Sequence, residues 1–169
     1  TKEDVIEDFK FKLANTYMIM YDRTNYYLEK AKELYKDIIN DYPQSIYAKD
    51  SKAYMDEILM RQGFLSPAAV ASKYSDDEAM QQKALLQELM NDKNDKKYDL
   101  ILRAEKVYSK VSNEIVKRFG YQSISEIYDE ISIDIIKDYL AQGKCTELNE
   151  VLKTSRNETL VKLIEDESI

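Results

Sequence analysis

The sequence contains no histidine and no tryptophan, and it has a single cysteine, Cys145. Lack of histidine removes the commonest general base and metal ligand, which excludes His-dependent triads, Glu-x-x-His di-iron sites and His-bearing zinc sites. One cysteine forms neither an internal disulfide nor a thiolate cluster, so nothing demands or forbids an oxidising compartment. Its expected place is a buried or half-buried helical position with a structural role, because Lys144 is the only adjacent group that would activate it. Glycine and proline are nearly as scarce, at three and two residues, which speaks against a strand-rich sandwich with frequent turns. No run approaches the ~18 to 20 apolar residues of a membrane span, and no charged-then-apolar signal segment opens the chain. The missing initial Met leaves a removed signal or anchor open. Positive charge is also short: a net charge of -7, spread over both halves, argues against nucleic acid as a partner.

The residues that are present favour helices. Hydrophobic residues make up 44% and charged ones 34% of the chain, and the apolar positions recur at helical spacing. Val5, Phe9, Leu13, Tyr17 and Met20 form one stripe, Ala31, Leu34, Tyr35, Ile38 and Tyr42 a second, and Tyr98, Ile101, Tyr108, Val111, Ile115 and Phe119 a third. Gly63, Gly120 and Gly143 each follow such a stripe and read as left-handed helix ends, which leaves no glycine for a phosphate-cradling loop. Start signals of Ser or Thr with an acid three residues on stand at Thr1/Asp4, Ser75/Glu78, Ser123/Glu126 and Ser155/Glu158, and Ser66-Pro67 is a fifth. Together they predict helices over 3–21, 25–41, 45–62, 67–74, 76–91, 95–119, 124–142, 145–154 and 156–166. The fold class expected is all-α, with short connections that make successive helices antiparallel. The polar stretch NDKNDKK at 91–97 divides a region 1–91 from a C-terminal helical region 95–169, which is either separate from the first or continuous with it.

Between residues 13 and 59 the residue types follow a further pattern. Ala14 and Tyr17 on one helix are followed by Ala31, Tyr35, Ile38 and Pro43 on the next, and Ala53 restarts the series. Small residues stand where two helices approach closely, tyrosines fill the remaining space, and Pro43, with no amide hydrogen, stops the second helix. Ser45 is the expected cap of the third helix. This stretch resembles a tetratricopeptide repeat and the start of the next. The spacing from Tyr17 to Ala31 is longer than the family's, Ile38 stands at a small-residue position, and past about residue 63 no further repeat aligns. The YP-S-YA segment is similar to repeats of bacterial envelope assembly lipoproteins.

The resemblance implies antiparallel hairpins stacked as a right-handed superhelix, here followed by a C-terminal helical bundle. It also implies a concave face that binds a segment of another protein. The family's ligand-facing positions correspond to Asp8, Phe11, Asn15, Met18, Tyr47, Asp50, Tyr54 and Glu57. Phe11 occupies the position where the family's carboxylate clamp wants lysine, so capture of a C-terminal carboxylate is not implied. The implied location is the periplasm or cell envelope, with the cytoplasm as the alternative.

Nothing in the spacing singles out a catalytic carboxylate pair. Asp76-Asp77-Glu78 suits either Ca²⁺ or, more simply, a helix N-terminus. DKNDKK lacks the glycine and the final Glu of a calcium loop. Fourteen tyrosines serve either to bridge helices or to present contact area to a partner. The expectation is a non-enzymatic protein-protein interaction module, a scaffold or assembly factor, with no cofactor, no metal, no catalytic residue and no membrane insertion of its own. The alternative is a structural subunit that docks or forms a homo-oligomer through the stripe Ile124, Ile127, Tyr128, Ile131, Ile135 and Tyr139, broadened by Ile133 and Ile136. The simpler account of that stripe is burial against 95–119 and 145–166 of the same chain.

Overall fold

The computed structural model describes residues 1–95, 99–154, 161–162 and 165–166. Among the described residues the chain forms nine α-helices, one 3₁₀ turn and no strand. They are α1 Lys2–Ile19, α2 Asn25–Asp41, α3 Ala48–Arg61, α4 Pro67–Lys73, α5 Glu78–Asp92, α6 Asp99–Lys110, α7 Asn113–Arg118, α8 Ile124–Ala141 and α9 Cys145–Thr154, with the 3₁₀ turn at Lys93–Asp95. No described helix is long and apolar enough to cross a membrane. The helix expected over 156–166, with its start signal at Ser155/Glu158, lies mostly outside the described residues, as do 96–98 of the polar stretch.

Local chemistry sets most boundaries. Thr1 and Asp4 form a reciprocal capping box, Ser66 accepts from the Ala69 amide at 3.1 Å with Pro67 at the first helical position, and Ser123 accepts from the Glu126 amide at 3.4 Å. At all three glycines the chain turns left-handed, φ +83°, +80° and +68°, and paired backbone bonds such as Phe64 N to Leu59 O and Gly63 N to Met60 O close the helix.

Three boundaries differ from expectation. Asp77, not Ser75, caps α5 by accepting from the Met80 amide at 3.0 Å. Ser45 does not cap α3; its hydroxyl accepts from the Tyr47 amide at 3.2 Å within a turn, and the helix begins at Ala48. The single helix expected over 95–119 is broken, because Ser112 is extended at ψ 152° and starts α7 by accepting from the Ile115 amide. The Ser112 amide then donates to the Gln82 side chain of α5 at 3.0 Å, so its hydrogen bond is recovered outside the helix.

The first three helices run in alternate directions. Lys10 meets Asp37, Asn15 meets Tyr35 and Tyr17 meets Tyr27, so one number falls as the other rises. Tyr35 against Tyr54, and Glu29 and Lys32 against Gln62, show the same for α2 and α3. Ala14 and Ala31 are fully buried between α1 and α2, where small side chains permit close approach, and Tyr35 and Ile38 fill the space beside them. On α1 the expected stripe is not the buried one. Val5 and Phe9 are 68% and 64% exposed and Met20 is half exposed, whereas Ala14 and Met18 are buried. The helix is apolar on more than one side, and packing on α2 selects the face that carries its small residue.

Beyond α3, helix α5 contributes to two separate apolar cores. Met80 and Ala84 of α5 join Met60 and Val70, while Leu86 and Leu89 of the same helix enter the C-terminal core with α6 to α9. In that core Ile124, Ile127, Tyr128, Ile131, Ile135 and Tyr139 of α8 are all buried, against α6 and α9. The stripe that would have served oligomerisation is thus covered by its own chain. Cys145, expected buried or half-buried, is exposed, because it starts α9 and Leu148 is the residue that enters the core.

The α1–α2 loop also reaches the far half of the chain. Arg23 adopts φ +69°, a region a side chain normally avoids. Its guanidinium lies 3.7 Å from the centre of the Tyr121 ring, donates from Nε to Gly120 O at 3.3 Å and from Nη2 to Glu126 at 3.2 Å. A Cβ on Gly120 would sit 3.0 Å from Arg23 Cγ, so the absent side chain at Gly120 is what admits the arginine.

Candidate interaction site

Glu57 of α3 is fully buried and is surrounded by three cations from three helices. Arg61 Nη2 donates to it at 2.6 Å, Lys83 Nζ from α5 at 3.1 Å, and Arg118 from α7 through both Nε and Nη2, at 3.2 and 2.8 Å. Burial alone would raise the Glu57 pKa, but the fields of Arg61, Arg118 and Lys83 outweigh it and hold the carboxyl far below the usual range. For Lys83 the balance falls the other way, and burial pulls its pKa down despite Glu57.

Among the described residues, one carboxylate against three cations leaves two positive charges uncompensated by ions. Aromatic faces take up part of that excess: Arg61 lies 4.0 Å from the centre of Phe119 and 5.2 Å from that of Tyr21, and Lys83 and Arg118 each lie 5.1 Å from that of Tyr54. Arg61 also donates to the Arg118 carbonyl at 2.5 Å, while its Nε has no partner. The cluster therefore locks α3, α5 and α7 together.

Next to it runs an aromatic strip between α1 and α3. Phe11 stacks on Tyr47 at 4.6 Å between ring centres and leans on Tyr54 at 6.1 Å. Tyr47 donates to Asp8 at 2.6 Å, and Tyr35 donates to Asn15 at 2.5 Å. The hydrogen bonds from Lys12 and Tyr47 keep the Asp8 carboxyl below its ordinary pKa. Of the eight positions read as a ligand-facing surface, Asp8, Phe11, Asn15, Tyr47 and Tyr54 thus meet in this strip, half-buried. Met18 and Glu57 are fully buried and present no surface in this conformation. Asp50 is exposed and faces a different feature, a groove.

The groove, of about 830 Å³, is open to solvent between the first turns of α3, the α4–α5 turn, and the start of α7. Two adjacent glutamines set its walls. Gln81 donates to the Ala71 and Tyr74 carbonyls at 2.7 and 2.8 Å and holds the end of α4 against α5. Gln82 takes the Ser112 amide and fixes the start of α7. Ala53, Tyr74 and Ile115 provide apolar lining, and Asp50, Asp76, Asp77, Glu78 and Glu114 provide carboxylates. Tyr74 and Lys73 both donate to Asp56 at 2.6 Å, and burial followed by that bond raises the Tyr74 pKa. Among the described residues no three acidic or cysteine side chains stand close enough to hold a metal ion.

Sequence reasoning did not single out Arg61, Lys83 or Arg118. Arg61 lies four residues after Glu57 on a helix, which is a legible pairing signal, but Lys83 and Arg118 reach Glu57 from 26 and 61 residues away and leave no local trace. Fold and site together define a stack of helices with a buried ionic lock and an acidic groove. Comparison with protein-family models, with curated proteins and with solved structures yields no match for this chain.

Proposed function

We propose that this chain is a non-enzymatic protein-interaction module, a scaffold or assembly factor, that seats a segment of another protein in the groove bounded by α3, the α4–α5 turn and α7. The observation that carries this reading is the groove itself. It is large, it is open, and it is held in shape by Gln81 and Gln82. Sites that take ligands are concave and largely preformed. Alternate directions of α1, α2 and α3, with Ala14 and Ala31 buried where they pack, support the kinship with tetratricopeptide repeats on which the concave-face expectation rests. A chain with no histidine and with its one cysteine exposed at a helix start has little with which to run acid-base or nucleophilic catalysis.

A plug tests the reading. Ala79 is exposed and lines the groove, so Ala79→Trp is expected to fill it without disturbing the core. Peptides selected from a random displayed library on the wild-type protein should lose at least about tenfold in affinity for Ala79→Trp, the scale of a lost anchor contact, at unchanged helical content. Selection of no peptides, or binding that survives the plug, would sink the reading.

A further inference from the structure

Charge around the groove is lopsided. Asp50, Asp76, Glu78 and Glu114 are exposed, and none makes an ion pair among the described residues. Asp77 is occupied by the Met80 amide. Of the two lysines in the lining, Lys73 is held by Asp56, which leaves Lys49 unpaired. Three helices begin at the groove, and each N-terminus brings roughly half a positive charge. Together with Lys49 they offset the four free carboxylates only in part, so the field in the groove is negative.

The carboxylates are also spread apart. They come from α3, from the α4–α5 turn and the start of α5, and from α7, and no three of them converge on one point where a metal ion would sit. Separated carboxylates around an apolar floor suit separated cations on apolar stems. Lysine and arginine side chains have that build, with methylenes that lie along apolar surface while the charged head stays at the solvated rim. Tyr74 and Ile115 would meet the stems, and Asp50, Glu78 and Glu114 the heads.

We propose that the occupant of the groove is a lysine- or arginine-bearing segment of another protein. The inference rests on the interaction reading given above and adds the chemistry of the partner.

The test uses the whole chain and three labelled probe peptides of one length: alternating lysine and alanine, alternating glutamate and alanine, and alternating serine and alanine. Binding is followed by fluorescence anisotropy at low and at high salt, and the site by hydrogen-exchange protection. The basic peptide is expected to bind, to protect 73–79 and 112–115, and to weaken as salt rises, since screening acts on exposed charge. In the double variant Asp50→Lys, Glu114→Lys it should bind about tenfold more weakly or worse, the scale of two rim ion pairs lost. Glu33→Lys, an exposed change on α2 away from the groove, should leave affinity unaltered. Circular dichroism and melting of each variant separate loss of binding from loss of fold.

Equal binding of the basic peptide to the double variant, or protection elsewhere on the surface, overturns the inference. Preferential binding of the acidic or the serine peptide in the groove overturns the inference and leaves the interaction reading standing. No binding by any of the three peptides, combined with no plug-sensitive peptide from the random library, overturns both.

Discussion

Glu57→Gln is expected to destabilise the protein by about 3 to 5 kcal/mol, the range for removing one partner of a buried ion pair. The side chain keeps its shape, so the loss is electrostatic. Arg61 and Lys83 are left buried, and Arg118 half-buried, against a neutral amide, with aromatic faces and, for Arg61, the Arg118 carbonyl to receive them. Net stabilities are on the order of 5 to 15 kcal/mol, so the variant should be partly unfolded under mild conditions. Urea titration checks this: the midpoint should fall with the slope unchanged. A loss of less than about 1 kcal/mol would mean that the cations escape to water when the carboxylate is removed.

The same lock dictates the pH response. Folding lowers the Glu57 pKa from an unfolded value of about 4.3, so the stability it contributes is fully present above that value and drains away as pH falls towards the folded one. Lys83 acts in the opposite limb: its folded pKa lies below the unfolded value, so stability rises with pH between the two. Acid titration of the melting temperature should show a steep fall below about pH 4, and that fall should flatten in Glu57→Gln.

Tyr35→Ala is the other large effect, at about 3 to 5 kcal/mol by analogy with buried aromatic truncations. Tyr35 is fully buried, packs against Phe11 and Tyr54, and donates to Asn15. Truncation would open a void under the aromatic strip and loosen α1 from α3. Tyr35→Phe separates the two contributions: the ring stays, Asn15 loses its donor, and the cost should be about 1 kcal/mol. Thermal melts of the two variants check the order, and a Phe variant as damaging as the Ala variant would contradict it.

The legible parts of this fold are those decided within a few residues. Gly63, Gly120 and Gly143 close helices because left-handed backbone is a local steric matter, and Thr1, Ser66 and Ser123 cap helices because a hydroxyl reaches its own chain. The break at Ser112 was hidden because Val107 and Val111 on one side and Ile115 and Phe119 on the other enter the same core, so the apolar period runs on across it. The buried face of α1 was hidden because a helix with apolar residues on more than one side does not declare which of them meets a neighbour. At the site, Asp50 and Glu57 were read as members of one face. Tertiary packing decides that one looks into a groove and the other into a cage of cations, and no spacing encodes it.

Two of the contacts between the halves span long stretches of chain. Arg23 to Gly120 bridges 97 residues and Glu57 to Arg118 bridges 61. Loop-closure entropy grows only with the logarithm of length, so these two closures differ by about 0.4 kcal/mol, and doubling the intervening chain would add only about 0.6 kcal/mol. The union of the two halves is therefore insensitive to how much chain lies between them. Chain added between the halves is expected to leave the same charged lock able to close, at a cost that grows only with the logarithm of its length.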